Sequence, residues 1–353
     1  MDKKSLRENI DEIDSKILDL LTERIGLARE IGKVKAAGGE AIYAPAREIE
    51  VFKRLDEKNA GRISKESLSA IYREIISASI AAEKRLEVAY LGPKATFTQQ
   101  AAVKNFGSSV NYRPMPSIPD VFAAVEGSEA DYGVIPIENS NEGSVFHSMD
   151  MLSESNLYIV GQVYMKIEHC LISRGKLDEI RRVCSKDQAI GQCRAWLRRH
   201  LPEAHIEYVE STATAVKMAE ENPEIAAIGS SLAAEFYHMP VVERGIQDIK
   251  TNQTRFLVIG KKAVPKTPGI NYKTSILISV NDRPGALYDA LLPFNRMNVN
   301  LTRIESRPSR KKAWDYYFFI DFQGHWDDEN IVEAAGELKK VLPKIKWLGS
   351  YPA

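Results

Sequence analysis

The sequence predicts a multidomain chain in which three fold classes follow one another: all-α over 1–86, α/β over 87–264, and α+β of the ferredoxin-like kind over 273–353. Three observations carry this reading. Apolar residues keep a helical period, with no strand-like alternation, up to about residue 86. Short apolar runs then alternate with helical stretches, as in an α/β region with a largely buried sheet. Beyond the turn-rich linker Ala263-Val264-Pro265-Lys266-Thr267-Pro268-Gly269, a compact β-α-β-β-α-β order closes the chain.

In the first segment Ile10, Ile13, Ile17, Leu20, Leu21, Ile25, Ala28, Ile31 and Val34 trace one long helix, which Gly38-Gly39 ends. Pro45 suits the first turn of a second helix, and a third is expected over 67–86. At 1.5 Å per residue the first helix, of about 34 residues, is roughly 50 Å long. Two shorter helices cannot cover its apolar stripe, so the pattern predicts a dimer in which the long helices of two chains pack together.

The α/β texture begins at Val88-Ala89-Tyr90-Leu91-Gly92-Pro93. Strands are expected over 132–137, 158–163, 225–229 and 256–260, with Ser144, Ser185 and Ser211 as helix caps. In the last segment the expected strands are 275–280, 299–305, 315–322 and 345–350, and the helices 285–297 and 329–341.

Lys plus Arg equals Asp plus Glu at 48 each, so no net field draws nucleic acid or an anionic membrane, and an anionic ligand must be held by local cations. No stretch approaches the roughly 18 apolar residues of a membrane span, and no signal-peptide pattern follows Met1. Cys170, Cys184 and Cys193 are odd in number and lack a zinc spacing, which reads as plain thiols in a reducing, cytoplasmic setting without a metal.

Arg24, Ala28, Ile31 and Lys35 stand at i, i+4, i+7 and i+11, which sets both cations on the stripe to be buried, where they need partners. Arg7 lies about 25 Å along the axis from Arg24 and reaches the same pocket only from a partner helix. Ser79 and Glu83 share a face one turn apart. From the pattern alone, pairing of these cations with Glu23 or Glu30 on a solvated helix is an equal alternative.

Leu6-Arg7, Thr22-Glu23-Arg24, Gly32-Lys33-Val34-Lys35 and Pro45-Ala46-Arg47-Glu48, in that order, resemble the signature of the all-helical chorismate mutases. The resemblance implies a cofactor-free pericyclic rearrangement of chorismate. In it Arg7 (from the second subunit), Arg24 and Arg47 grip carboxylates, Lys35 donates to the ether oxygen, Glu48 accepts from the substrate hydroxyl, and Ser79 positions a carboxylate. Two residues depart from the family pattern: Ala44, at a position often acidic, and Glu83, where glutamine is common. A carboxyl donates a hydrogen bond only when protonated, so Glu83 is expected to act protonated.

Tyr90-Leu91-Gly92-Pro93, Pro136-Ile137-Glu138-Asn139-Ser140, Ser211-Thr212-Ala213-Thr214 and Asn252-Gln253-Thr254-Arg255-Phe256 each adjoin an apolar run, at sheet ends where open α/β folds bind ligands. Alone, Asn139-Ser140 is also a plain turn and Ser211 a plain cap. Together the four resemble prephenate dehydratase. That implies two α/β lobes laid out like a periplasmic binding protein, with the chain changing lobes near 166–171 and returning near 248–255. It also implies Thr254 as hydrogen-bond donor to the leaving oxygen and Arg255 as carboxylate holder, with Glu138, Asn139, Ser140, Ser211 and Thr212 lining the cleft. Glu138 is equally readable as a buttress of its turn, and His169 reads as a packed or cleft-wall histidine.

Asn281-Asp282-Arg283-Pro284-Gly285-Ala286-Leu287 and Glu305-Ser306-Arg307-Pro308 resemble the ligand loops of ACT domains attached to prephenate dehydratases. The resemblance implies an L-phenylalanine site built from Asn281, Gly285, Ala286, Leu287, Glu305, Ser306, Arg307 and Pro308, with Tyr288 where a smaller aliphatic residue is usual. The whole reading is a bifunctional, phenylalanine-inhibited enzyme that forms a homodimer or homotetramer and takes chorismate and prephenate. A dehydrogenase of the same pathway would need a Gly-x-Gly-x-x-Gly after a strand, which the sequence lacks. The alternative from another class is a non-catalytic amino-acid sensor.

Overall fold

The computed structural model describes residues 2–308 and 316–353. They divide into two compact units: Met1–Val88 with Val103–Asn111, and Ala89–Ala102 with Tyr112–Ala353.

The first unit is built on α1 (Lys3–Gly38), α2 (Pro45–Asn59) and α3 (Lys65–Glu83). The Asp2 side chain caps α1 by accepting from the Ser5 amide, and Gly39 closes it at φ 66°, a left-handed angle that glycine adopts without a Cβ penalty. Pro45 opens α2 in its first turn, as expected. Ser64 caps α3 two residues earlier than the sequence suggests, and the helix stops at Glu83 rather than Leu86. Along α1 only Ala28 and Gly32 are buried. A Cβ on Gly32 would stand 3.0 Å from Glu83 Cβ, so the missing side chain is what lets α1 and α3 approach. Gly32 thus takes the buried place expected for Ile31, which is 52% exposed. Ile10, Ile13, Ile17 and Leu20 are also exposed: this chain by itself does not cover the long apolar stripe.

In the second unit the first sheet takes β1 (Glu87–Leu91), β2 (Asn111–Met115), β3 (Tyr132–Asn139), the short β4 (Gly143–Ser144) and β5 (Tyr158–Lys166). The chain then builds a second sheet from β6 (Cys170–Ile172), β7 (Arg182–Ser185), β8 (His205–Tyr208), β9 (Ile225–Gly229) and β10 (Val241–Arg244). It returns as β11 (Gln253–Gly260), which lies antiparallel between β3 and β5. The sheet orders are β2-β1-β3-β11-β5 and β10-β6-β9-β7-β8, so the change of lobe after β5 and the return before β11 fall where the sequence suggests.

Two of the three expected caps are corrected. Ser144 does not cap the helix Phe146–Glu154, whose N-cap is Val145, and its hydroxyl donates instead to Glu305 Oε2 at 2.6 Å. Ser185 donates to the Ile228 carbonyl at 2.6 Å, leaving Lys186 as N-cap. A hydroxyl near a helix start caps only when no better acceptor is in reach. Ser211 does cap its helix, accepting from the Thr214 amide at 3.0 Å.

The last sheet has β12 (Tyr272–Ser279), β13 (Leu301–Pro308), β14 (Tyr316–Gln323) and β15 (Lys344–Pro352) in the order β13-β14-β12-β15, with helices Ala286–Arg296 and Glu329–Val341. Asp315, the expected first residue of the third of these strands, lies outside the described residues. Strand alternation splits the apolar residues between two faces. Ile276, Ile278, Ile320 and Phe322 pack with Phe294, Ile331 and Leu338 of the helices. Leu277, Tyr317, Phe319, Leu348 and Tyr351 join Ile135, Ile159, Leu257 and Ile259 of the first sheet in one continuous core. Among the described residues no helix is long and apolar enough to cross a membrane, and no group of His, Cys, Asp and Glu is arranged to hold a metal ion.

Candidate active sites

In the helical unit, α1 and α3 bring two cations against two partners. Lys35 Nζ lies 2.9 Å from Glu83 Oε2 and donates to the Ile42 carbonyl at 3.0 Å. Arg24 Nη1 donates to Ser79 Oγ and, at 3.3 Å, to the Ile75 carbonyl. The local pairing with Glu23 or Glu30 is therefore not the one adopted by Arg24 or Lys35. Glu48, from the first turn of α2, is buried, and its Oε2 accepts from Arg73 Nη1 at 2.5 Å. Its Oε1 is buried without a hydrogen-bond partner. Burial pushes the Glu48 pKa up against the pull of Arg73 and Lys35.

Arg47 is not brought to this cluster. Its side chain is 61% exposed and pairs with Glu50 at 2.8 Å, because one residue along a helix turns it about 100° away from Glu48. Arg7 is exposed on α1. The Lys35–Glu83 contact is an ion pair, whereas the sequence reading expects a protonated donor at Glu83. Arg73, which sequence reasoning missed, also donates to the Asn105 carbonyl at 2.6 Å. The signal was present: Arg73 shares a stripe with buried Ile76, Ser77 and Ile80, the pattern that singled out Arg24.

In the second unit β11 sends Thr254 and Arg255 to opposite faces, since side chains alternate along a strand. Thr254 Oγ1 accepts from Asn139 Nδ2 at 2.8 Å, its neighbour in the β3–β11 ladder. Asn139 Nδ2 also donates to Asn252 Oδ1 at 2.8 Å, and Asn139 Oδ1 accepts from the amides of Asn141 at 2.9 Å and Glu142 at 3.1 Å. Asn252 Nδ2 donates to Gln192 Oε1 at 2.8 Å, and Gln192 Nε2 to Glu142 Oε1 at 2.7 Å. His169 Nε2 lies 2.8 Å from the same Gln192 oxygen. The His169 ring is buried, its Nδ1 has no partner, and burial pushes its pKa down against the pull of Gln192 and Glu142.

Ser140 is used locally, its hydroxyl accepting from the Gln253 amide at 2.9 Å. Ser211 and Thr212 sit at the start of their helix, and among the described residues no hydrogen bond joins them to the Thr254 network. A cavity of about 530 Å³ lies beside the Gly92-Pro93 turn with Lys94 and Lys217 on its walls, and Thr254 does not line it.

Arg255 is the main correction in this unit. It does not face the Thr254 side. Its Nη1 lies 2.6 Å from Asp321 Oδ2, its Nη2 donates to Tyr351 Oη at 2.7 Å, and its Nε to Gln162 Oε1 at 3.0 Å. Burial opposes its charge, but Tyr351 and Asp321 outweigh that, so its pKa is raised. Glu138 pairs with Arg255 in register and lies 3.5 Å from Arg303 Nε, which favours the buttress reading over the cleft-lining one. Asn252, Gln192 and Glu142 were not assigned from sequence. Gln192 carries no sequence signal at all, since only the fold brings it within reach of Asn252.

The expected phenylalanine residues divide between two faces of β13. Glu305 accepts from Ser144, and Arg307 places Nε and Nη2 each 2.8 Å from Asp150, so both are committed to contacts within the unit. Ser306 and Pro308, on the other face, are exposed. Gly285 takes φ 79° as N-cap of the helix that begins at Ala286, with Leu287 half-buried behind it and Asn281 exposed in the loop.

Three family comparisons cover most of the chain: residues 6–84 match chorismate mutase type II, 88–264 match prephenate dehydratase, and 274–340 match the ACT domain. The bifunctional chorismate mutase/prephenate dehydratase of Aquifex aeolicus (strain VF5) is 47% identical over 99% of this chain and 97% of that protein. Among solved structures, prephenate dehydratase from Arthrobacter aurescens in complex with L-Phe superposes with a TM-score of 0.71 at 32% identity, covering 76% of this chain and 90% of that one. A protein described as GqqA, a novel type of quorum quenching acylase, gives 0.69 at 29% identity over 76% of this chain and 98% of its own.

Proposed function

The chain belongs to the bifunctional chorismate mutase/prephenate dehydratases of phenylalanine biosynthesis, and from that premise we propose how its own side chains carry the two reactions. In the helical unit, Arg24 with Ser79 holds one carboxylate of chorismate, and Arg7 of a second chain reaches the other. Lys35 donates to the ether oxygen as charge grows there. The unpartnered Oε1 of buried Glu48 accepts from the substrate hydroxyl. The reaction is pericyclic, so holding the compact conformer and meeting the developing charge supply its acceleration. The observation that carries this is the α1–α3 seam itself, where Gly32 lets Lys35 and Arg24 converge on Glu83 and Ser79. Glu83 must give up its ion pair and carry a proton to donate alongside Lys35. Glu83→Gln, with an amide donor in its place, is expected to keep mutase turnover.

In the second unit, Thr254 donates a hydrogen bond to the departing hydroxyl oxygen of prephenate. The bond to carbon dioxide breaks as the hydroxyl leaves, and the ring becomes aromatic. A threonine hydroxyl is too weak an acid to transfer its proton outright near neutrality, so its role is donation rather than general acid catalysis. L-Phenylalanine binds where Gly285, Ala286 and Leu287 open their helix, beside Ser306 and Pro308, and lowers activity; Glu305 and Arg307 anchor the strand that carries the site. The exposed stripe of α1 pairs two chains. The test is to supply the full chain with chorismate alone and follow both products, with and without phenylalanine. Prephenate followed by phenylpyruvate, reduced by phenylalanine, is the expected result; accumulation of prephenate alone would overturn the dehydratase half of this reading.

A further inference from the structure

We infer that Gln192, acting with Asn252 and Glu142, is a positioning residue that keeps the Thr254 hydroxyl proton free for the leaving oxygen. This rests on the donor role proposed for Thr254 and extends it to groups in both lobes. The argument depends on which atoms are able to donate. Backbone amides only donate, and those of Asn141 and Glu142 both point at Asn139 Oδ1, so Nδ2 must face the other way. Its two hydrogens are taken by Asn252 Oδ1 and Thr254 Oγ1, each at 2.8 Å. Thr254 is thus an acceptor toward Asn139.

The far end gives the same direction independently. A carboxylate only accepts, so Gln192 turns Nε2 toward Glu142 at 2.7 Å and presents Oε1 to Asn252 Nδ2 at 2.8 Å. Asn252 must then offer Oδ1 to Asn139. His169 fits as well: facing an acceptor oxygen, its Nε2 carries the hydrogen, which leaves Nδ1 bare. Both ends of the chain are thus fixed by groups with a single hydrogen-bonding role.

The consequence lies at Thr254. Its hydroxyl receives a hydrogen bond, and its own proton has no acceptor among the described residues. A hydroxyl that accepts also donates more strongly, because hydrogen bonds in a chain polarise one another. If the Asn139 amide were reversed, Thr254 would direct its proton inward and the leaving oxygen would lose its donor.

The test uses the full chain, with the thermal unfolding midpoint of each variant as the control for folding. Gln192→Met keeps the side chain's length and removes both hydrogen-bonding atoms. It is expected to lower dehydratase kcat about tenfold, the scale of one neutral hydrogen bond, with KM for prephenate held. Asn139→Asp keeps the turn but presents an acceptor to Thr254, and is expected to lower kcat by about 10²–10³. In a Thr254→Ala background, Gln192→Met should have no further effect, since it acts only through the hydroxyl. Loss of the same factor in that background, or a change in KM alone, overturns the inference. Full dehydratase kcat in Thr254→Ala by itself would instead overturn the reading beneath it.

Discussion

The α1–α3 seam and strand β11 both carry cations away from solvent, and they put them to opposite uses. Lys35 and Arg24 meet small, replaceable partners, a single carboxylate and a hydroxyl, and Glu48 in the same unit keeps a buried oxygen without a hydrogen-bond partner. Arg255 is 5% exposed and has its fork filled by Asp321, Tyr351 and Gln162, so it has little left to offer a substrate. Beside it, on the other face of the same strand, the site proposed for the dehydratase step is a chain of amides that runs from the Glu142 carboxylate to the Thr254 hydroxyl. A pericyclic step on a dianion calls for fixed charge, whereas loss of a ring hydroxyl calls for a well-aimed proton, and the two surroundings differ accordingly.

The contrast is most easily broken at Arg255. Arg255→Met leaves Asp321 buried without its cation and is expected to cost about 3–5 kcal/mol of stability in chemical unfolding, while the folded enzyme keeps its KM for prephenate. A raised KM without loss of stability would make Arg255 a substrate ligand after all. At Lys35 the reverse holds: Lys35→Met should lower mutase kcat by about 10²–10³ with little change in stability, as for loss of one donor to a developing negative charge. Equal loss of both activities would show that Lys35 supports the fold instead. Gly32→Ala forces a methyl against Glu83 and should destabilise the helical unit by about 1–3 kcal/mol, seen as a lowered unfolding midpoint with mutase turnover reduced and dehydratase turnover kept. The smallest effect belongs to His169. Burial holds its folded pKa below the ordinary 6.5, so the stability it contributes is present above that value and lost as pH falls. The thermal midpoint of the parent protein should therefore fall more steeply below pH 6.5 than that of His169→Gln.

Much of this was legible in the residues. The long helix, its glycine end, the proline start of α2, the return of the chain at β11 and the ferredoxin-like order all follow from period, turn chemistry and caps. That Arg24 and Lys35 need partners was legible too, because a cation on an apolar stripe is costly alone, although the same rule applied to α3 would have found Arg73. Arg255 was misread for a reason the sequence itself contained: it adjoins Thr254 in a strand, and a period of two separates neighbours onto different faces. Gln192 and Glu142 were not legible, since a glutamine in one lobe and a glutamate at a hairpin in the other acquire meaning only when folding joins them. Ser144 and Ser185 resembled caps until tertiary acceptors claimed their hydroxyls.

The shared core of Leu277, Phe319 and Tyr351 with Ile135, Leu257 and Ile259 makes the C-terminal sheet a wall of the catalytic unit rather than a detachable accessory. Cutting the chain after residue 264 would lay those side chains bare and leave the Arg255 charge with only Gln162 of its three partners. On the phenylalanine site proposed above, an enzyme freed from that ligand is therefore to be sought through point changes on the outward side of β13, at Ser306 or Pro308, and not by truncation.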